Sequence, residues 1–184
     1  RYILAPEGVQ VGDKLQNGVG STDLTPQVFY GAAPVSNLTG WSFVWTFYNR
    51  NGLRGAFVDT TKTAMAGGRD ITTHTTGASA VITYSGTAIT FAAGQLIKAV
   101  SPSGQEAFYE VASATGNTVT IRTPSTNTWL NYTNCPAPSA SQFVGGKLFA
   151  CVANNGQITT SGGASLTLTG DEVGDVVVDP DAGA

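Results

Sequence analysis

The sequence predicts an all-β protein, an antiparallel sandwich or barrel with long loops or arms and an extended C-terminal tail. Three observations carry that expectation. Apolar residues recur with a period of two: Ile82 and Tyr84, Ile89 and Phe91, and Val119 and Ile121 each alternate with small or polar neighbours. Successive strand side chains point to opposite faces, so this alternation marks half-buried strands. Turn signals punctuate the runs at Ser85-Gly86, Ala93-Gly94, Pro102-Ser103-Gly104 and Gly116-Asn117. Finally, Thr, Gly and Ala dominate the composition and only 11% of residues are charged. Thr suits pleated strands, Gly supplies turns, and so few Lys and Glu argue against long exposed helices.

Taken in order, residues 1–17 read as short strands around Pro6-Glu7-Gly8 and Gly12-Asp13, and 18–34 as connector with a strand at Val28-Phe29-Tyr30. Trp41 to Tyr48 is the sharpest local pattern, with Trp41, Phe43, Trp45 and Phe47 on one face. Asn49-Arg50-Asn51-Gly52 then supplies a turn, and Leu53 to Val58 reads as the returning strand of a hairpin. Thr60 to Gly77 has few large apolar residues and clustered Thr, and reads as an extended arm or exposed loop. Ala80 to Thr123 is a β-meander, and 124–142, with three prolines, a second long polar segment. Strands return at 143–153, 157–160 and 164–169.

The 184 residues therefore divide into one all-β domain over 1–169, with an internal boundary admissible near 60–80, and an acidic extended tail over 170–184. The tail holds Asp171, Glu172, Asp175, Asp179 and Asp181 and no base, which leaves seven acids against nine bases elsewhere. No basic patch exists for a phosphate backbone, so nucleic acid is not an expected partner. No apolar run is long enough to span a membrane, and no signal peptide is visible. The chain opens on Arg1, as a processed or trimmed chain would.

The candidate chemistry is thin. His74 is the sole histidine, and Asp70 lies four residues before it. No Ser or Cys elbow and no Gly-rich phosphate loop accompanies them, so the plainer reading is an exposed loop histidine. Glu106 and Glu110 share a strand face, which admits a carboxylate pair, but a solvated face is the simpler account. Cys135 and Cys151 can close a modest loop by a disulfide if the protein is exported, and stay thiols in a reducing cytosol. Two Cys and one His do not make a zinc site, and the spacing of the tail acids does not match a calcium loop. The sequence thus assigns no catalytic residue, metal or cofactor. Asn37-Leu38-Thr39 and Asn131-Tyr132-Thr133 fit the glycosylation sequon. The aromatic face of Trp41 to Phe47 reads as core; exposed, Trp41 and Trp45 with Trp129 would form a sugar-stacking patch.

Two resemblances bear on function. RYILAPEGVQVGDKLQNG looks like a strand-turn segment of the large-subunit ribosomal protein with an SH3-like barrel. The match stops near Gly18 and the rest lacks basic character, so only the strand-turn-strand is kept. TAITFAAGQLIKAVSPSGQEAFYEVASATGNTVTIRT, about a fifth of the chain, resembles small β-modules in virion proteins of tailed bacteriophages. That resemblance implies no catalysis, symmetric oligomers and arms gripping neighbours. The expectation is a non-enzymatic structural protein located in the virion, foremost a capsid decoration (cement) protein and second a tail component. Its partners would be itself and a capsid or other virion protein. The contacts would come from Thr60, Met65, Arg69 and His74 in the arm, and from Val176, Val177 and Val178, which could add a strand to a neighbour. The alternative is a secreted cell-surface or filament β-subunit of adhesin or pilin type. The third reading is a carbohydrate-binding module.

Overall fold

The computed structural model describes residues 21–49, 52–59, 68–125, 127, 129–130, 135–137, 141–152, 155–169 and 174–182. Every regular element among them is a strand, as the alternation and composition predict. The elements are β1 (Ser21–Leu24), β2 (Phe29–Tyr30), β3 (Ala33–Pro34), β4 (Trp41–Asn49), β5 (Arg69–His74), β6 (Val81–Tyr84) and β7 (Leu96–Val100). They continue with β8 (Glu106–Thr115), β9 (Thr118–Arg122), β10 (Lys147–Ala150), β11 (Gln157–Ser161), β12 (Leu166–Thr169) and β13 (Gly174–Ala182).

Six strands close into an antiparallel barrel in the order β10-β5-β6-β9-β8-β7. The meander supplies the run from β7 to β9, and β10 closes it by pairing with β7 on one side and β5 on the other. Closure removes the open edges of a sheet, so every barrel strand has a ladder partner on each side. The interior is filled by Ile71, Ile82, Tyr84, Ile97, Tyr109, Val111, Val119, Ile121 and Leu148, with Phe143 closing in from the segment before β10. Tyr109 meets the Phe143 ring edge-on, 6.1 Å between centroids.

Two strands break their alternation. The β5–β6 register shifts between Ile71 and Thr73, and the β8–β9 register between Val111 and Ser113. Each is a bulge that inserts one residue and reverses the face of the residues after it. In β5 both Thr72 and Thr73 face out, so Ile71 and His74 both face in. The hydroxyl of Thr72 donates to Thr83 O at 3.1 Å, which anchors the extra residue.

The second body is a small sandwich. Strand β4 is the centre of a three-stranded sheet, flanked by β11 and β13, and its aromatic face meets the β1–β12 ribbon. Phe43, Trp45 and Phe47 are buried with Leu24, Val28, Phe57, Leu166 and Leu168, and Trp41 packs partly buried against them. The Trp45 indole N–H donates to Thr160 Oγ1 at 2.9 Å, so its polar edge is satisfied inside the core.

The expected hairpin return does not extend as a strand. The turn forms, with Gly52 N donating to Asn49 O, and Tyr48 bridges Arg54. From Thr46 back to Ser42, however, that edge of β4 belongs to β11 and the opposite edge to β13, so the returning chain has nowhere further to pair. It leaves β4 and runs to the barrel, where Val58 bridges Cys151 and Asp59 N donates to Ala150 O at 2.8 Å. Gly55 sits at this departure, where a Cβ would lie 2.9 Å from the Phe47 ring and 3.5 Å from Phe108. A third cluster, Ala56, Leu96, Phe108, Cys135 and Cys151, joins the two bodies, with Trp129 and Leu130 against it.

The tail is extended, but its valine run adds a strand within this chain and not to a neighbour. β13 runs antiparallel along the whole of β4, from Gly174 opposite Asn49 to Ala182 opposite Trp41. Pro180 falls within it, and an edge strand is where a residue without an N–H is tolerated.

Candidate functional site

The barrel wall has two different outer faces. On one side β7 and β8, with Cys151 just after β10, meet the joining cluster, so β7 and the first half of β8 are buried on both faces. On the other side the outward residues of β5, β6 and β9, with the far end of β8, stay half-buried or exposed. Hydroxyl residues dominate among them: Thr72, Thr73, Thr83, Thr118 and Thr120, with Ser113 and Thr115 beside them, while Asp70 and Arg122 lie at the margins.

The covered face holds charges where a solvated strand was expected. Glu110 is fully buried, and the opposite Arg122 donates to its Oε1 through Nε at 2.9 Å and through a second guanidinium nitrogen. Ser125 N donates to Oε2 at 3.0 Å, which pins the segment leaving β9 onto the barrel. Lys98, also fully buried, lies 3.4 Å from Glu106 Oε1 and 5.1 Å from the centre of the Phe149 ring. Glu106 and Glu110 do share a face, but each is engaged by its own cation. These are ion pairs that tie strands together, because the covering segments exclude water from charges that then require partners.

His74 and Asp70 also part company with the sequence reading. His74 is buried, 6% exposed, with its ring 5.4 Å from that of Phe143. Asp70 is exposed on the outer face and pairs with Lys147 of β10 at 2.7 Å. The long polar stretch is therefore, from Arg69 onward, a wall strand of the barrel, not an arm. The described part of the 124–142 segment forms no strand, yet it too lies against the body of the protein: Asn127 and Cys135 are buried and Trp129 packs inward under Arg54.

Cys135 and Cys151 are both buried in the joining cluster as reduced thiols, with no bridge between them. Burial pushes the Cys135 thiol up to about 11. Burial first, and the nearby Cys135 second, push the Tyr109 phenol up to about 12. The three tryptophans form no common patch. Trp45 is buried, Trp41 lies partly buried against the sandwich core, and Trp129 belongs to the joining cluster.

Of the remaining expected contacts, Arg69 starts β5, half-buried, while Thr60 and Met65 lie outside the described residues. Val176, Val177 and Val178 are in β13, opposite Phe47, Thr46 and Trp45 of the same chain rather than of a neighbour. Asn37 is exposed and accepts from Thr39 N at 2.9 Å; Asn131 and the opening segment through 20 lie outside the described residues. Among the described residues no group of three or more His, Cys, Asp or Glu is placed to hold a metal, and no helix is long and apolar enough to cross a membrane. No protein-family model, curated protein or solved structure matches this chain.

The open Thr face is the feature that sequence reasoning missed. Its signal was present in the Thr that alternates with the core residues of β6 and β9. What was missing was the closure that gathers those strands into one wall.

Proposed function

We propose that the protein is a non-enzymatic structural subunit of a virion, most specifically a capsid decoration protein, and that the open Thr face of the barrel is its contact surface. The observation that carries the reading is the contrast between the two barrel faces. Seven outward hydroxyl residues on adjoining strands present donors and acceptors without formal charge. Hydroxyls can be re-paired across an interface, whereas buried charges carry a far larger desolvation cost. Interface centres are accordingly poor in charged residues. A stable contact buries on the order of 1,600 Å² in total, a scale that one wall of a barrel together with flanking loops can approach. The likeness of 87–123 to phage virion modules supports the same reading, since that stretch builds β7, β8 and β9.

The test is assembly. Thr83 and Thr118 sit in the middle of the face, their Oγ1 atoms 3.5 Å apart. The wild-type chain is expected to oligomerise with rising concentration, or to co-sediment with capsid shells. The double variant Thr83→Lys/Thr118→Lys should do neither while melting at an unchanged temperature. A wild-type chain that stays monomeric and ignores shells would overturn the proposal.

A further inference from the structure

We propose that His74 is an acid-operated latch at one mouth of the barrel, independent of what the Thr face binds. Four observations converge on it. The bulge at Thr72 reverses the face of β5, so that an imidazole enters the barrel where plain alternation would put it outside. Bulges re-aim side chains in this way. The ring is then buried against Phe143, which belongs to the barrel core. Both ring nitrogens are buried without a hydrogen-bond partner among the described residues. Burial without partners lowers the pKa of His74 from its ordinary 6.5.

No described group is placed to neutralise an imidazolium there. On β5 itself, Asp70 is exposed and held by Lys147 of β10, and Arg69 lies five positions away at the start of the strand. On β6 the sole titratable residue is Tyr84, whose hydroxyl donates to Gly116 O. The segment 141–146 that carries Phe143 holds no titratable side chain. Behind Phe143 stands Tyr109, whose phenol burial keeps neutral. Protonation therefore places an uncompensated charge against an aromatic plug, and the ring must leave to find water.

The plug is coupled to β5 by two backbone bonds. Ile71 N donates to Gly146 O at 2.9 Å, and Gly145 N donates to Ile71 O at 2.8 Å. Exit of His74 removes the packing that holds this corner. The sign comes from linkage. The unfolded or opened chain takes up its proton near pH 6.5, the closed barrel only below that. Closure is thus fully stable above about 6.5 and weakens as pH falls toward the lowered native pKa.

Because His74 is the only histidine, its C2 proton gives one resonance in an NMR titration. The expected result is a midpoint below 6.5, accompanied by faster exchange of the Ile71, Gly145 and Gly146 amides over the same pH range. His74→Phe, which keeps a ring against Phe143, should abolish that acid-dependent exchange. An ordinary midpoint in the wild-type chain, or exchange at those amides that does not track it, overturns the latch. So does a folded His74→Phe variant that opens with acid as the wild type does.

Discussion

Glu110 and Lys98 show how a single residue can serve as a fastener when its surroundings are dry. Glu110 accepts from Arg122 across the β8–β9 ladder and from Ser125 beyond it, so one carboxylate orients three chain segments. Replacing it by Gln keeps the shape but removes the charge that Arg122 and Ser125 address. Because the Arg122 side chain is 49% exposed, water can take over part of its solvation. Glu110→Gln is therefore expected to cost about 1–3 kcal/mol, read as a lower midpoint in urea at unchanged slope. Cys135 and Tyr109 carry the opposite lesson. Both hold a proton in the fold beyond the range in which the unfolded chain would release it. The unfolded chain then binds fewer protons, so stability falls as pH rises above about 9 toward 12. Tyr109→Phe should flatten the upper part of that decline in an alkaline melting series. Both thiols should also react with a thiol reagent at pH 8 only once the chain is unfolded.

At the scale of elements, β4 organises the sandwich because it is flanked on both sides. Its aromatic face was legible from residues 41–47, since period two survives wherever one side is buried and the other is not. The return strand was not legible, because competition for an edge between β11 and residues 53–58 is decided by chain segments more than a hundred positions apart. Gly55 marks the place where that competition ends and the chain crosses to the barrel. A Cβ there would press on the Phe47 ring of the sandwich core, with Phe108 of the joint also in contact. Gly55→Ala should cost about 1–3 kcal/mol, with the loss seen in thermal melting. The bulges at Thr72 and after Val111 were equally invisible, as an inserted residue changes the phase without changing composition. Reading β5 by strict alternation sends His74 to the surface; the bulge brings it inside.

At the scale of the whole molecule, two cores share one joint, and the tail belongs to only one of them. β13 pairs with β4 and not with the barrel. A chain ending before Gly174 should keep the barrel signature, with protected amides in β6, β8 and β9, while exposing an edge of β4 and tending to self-associate. Hydrogen exchange on the shortened chain checks this. Loss of protection throughout would mean that the two bodies fold as one.

The all-β class, the meander from β7 to β9, the aromatic strand and the low charge were determined by the sequence alone. They rest on local periodicity, turn residues and composition, which no distant contact alters. The burial of Glu110, Lys98 and His74, the thiols in the joint and the pairing of the tail were decided only by tertiary structure. Each depends on which segment covers which face, and coverage is set by contacts between residues far apart in the chain. The open Thr face belongs to both: its residues can be read one by one, but only barrel closure makes them a surface.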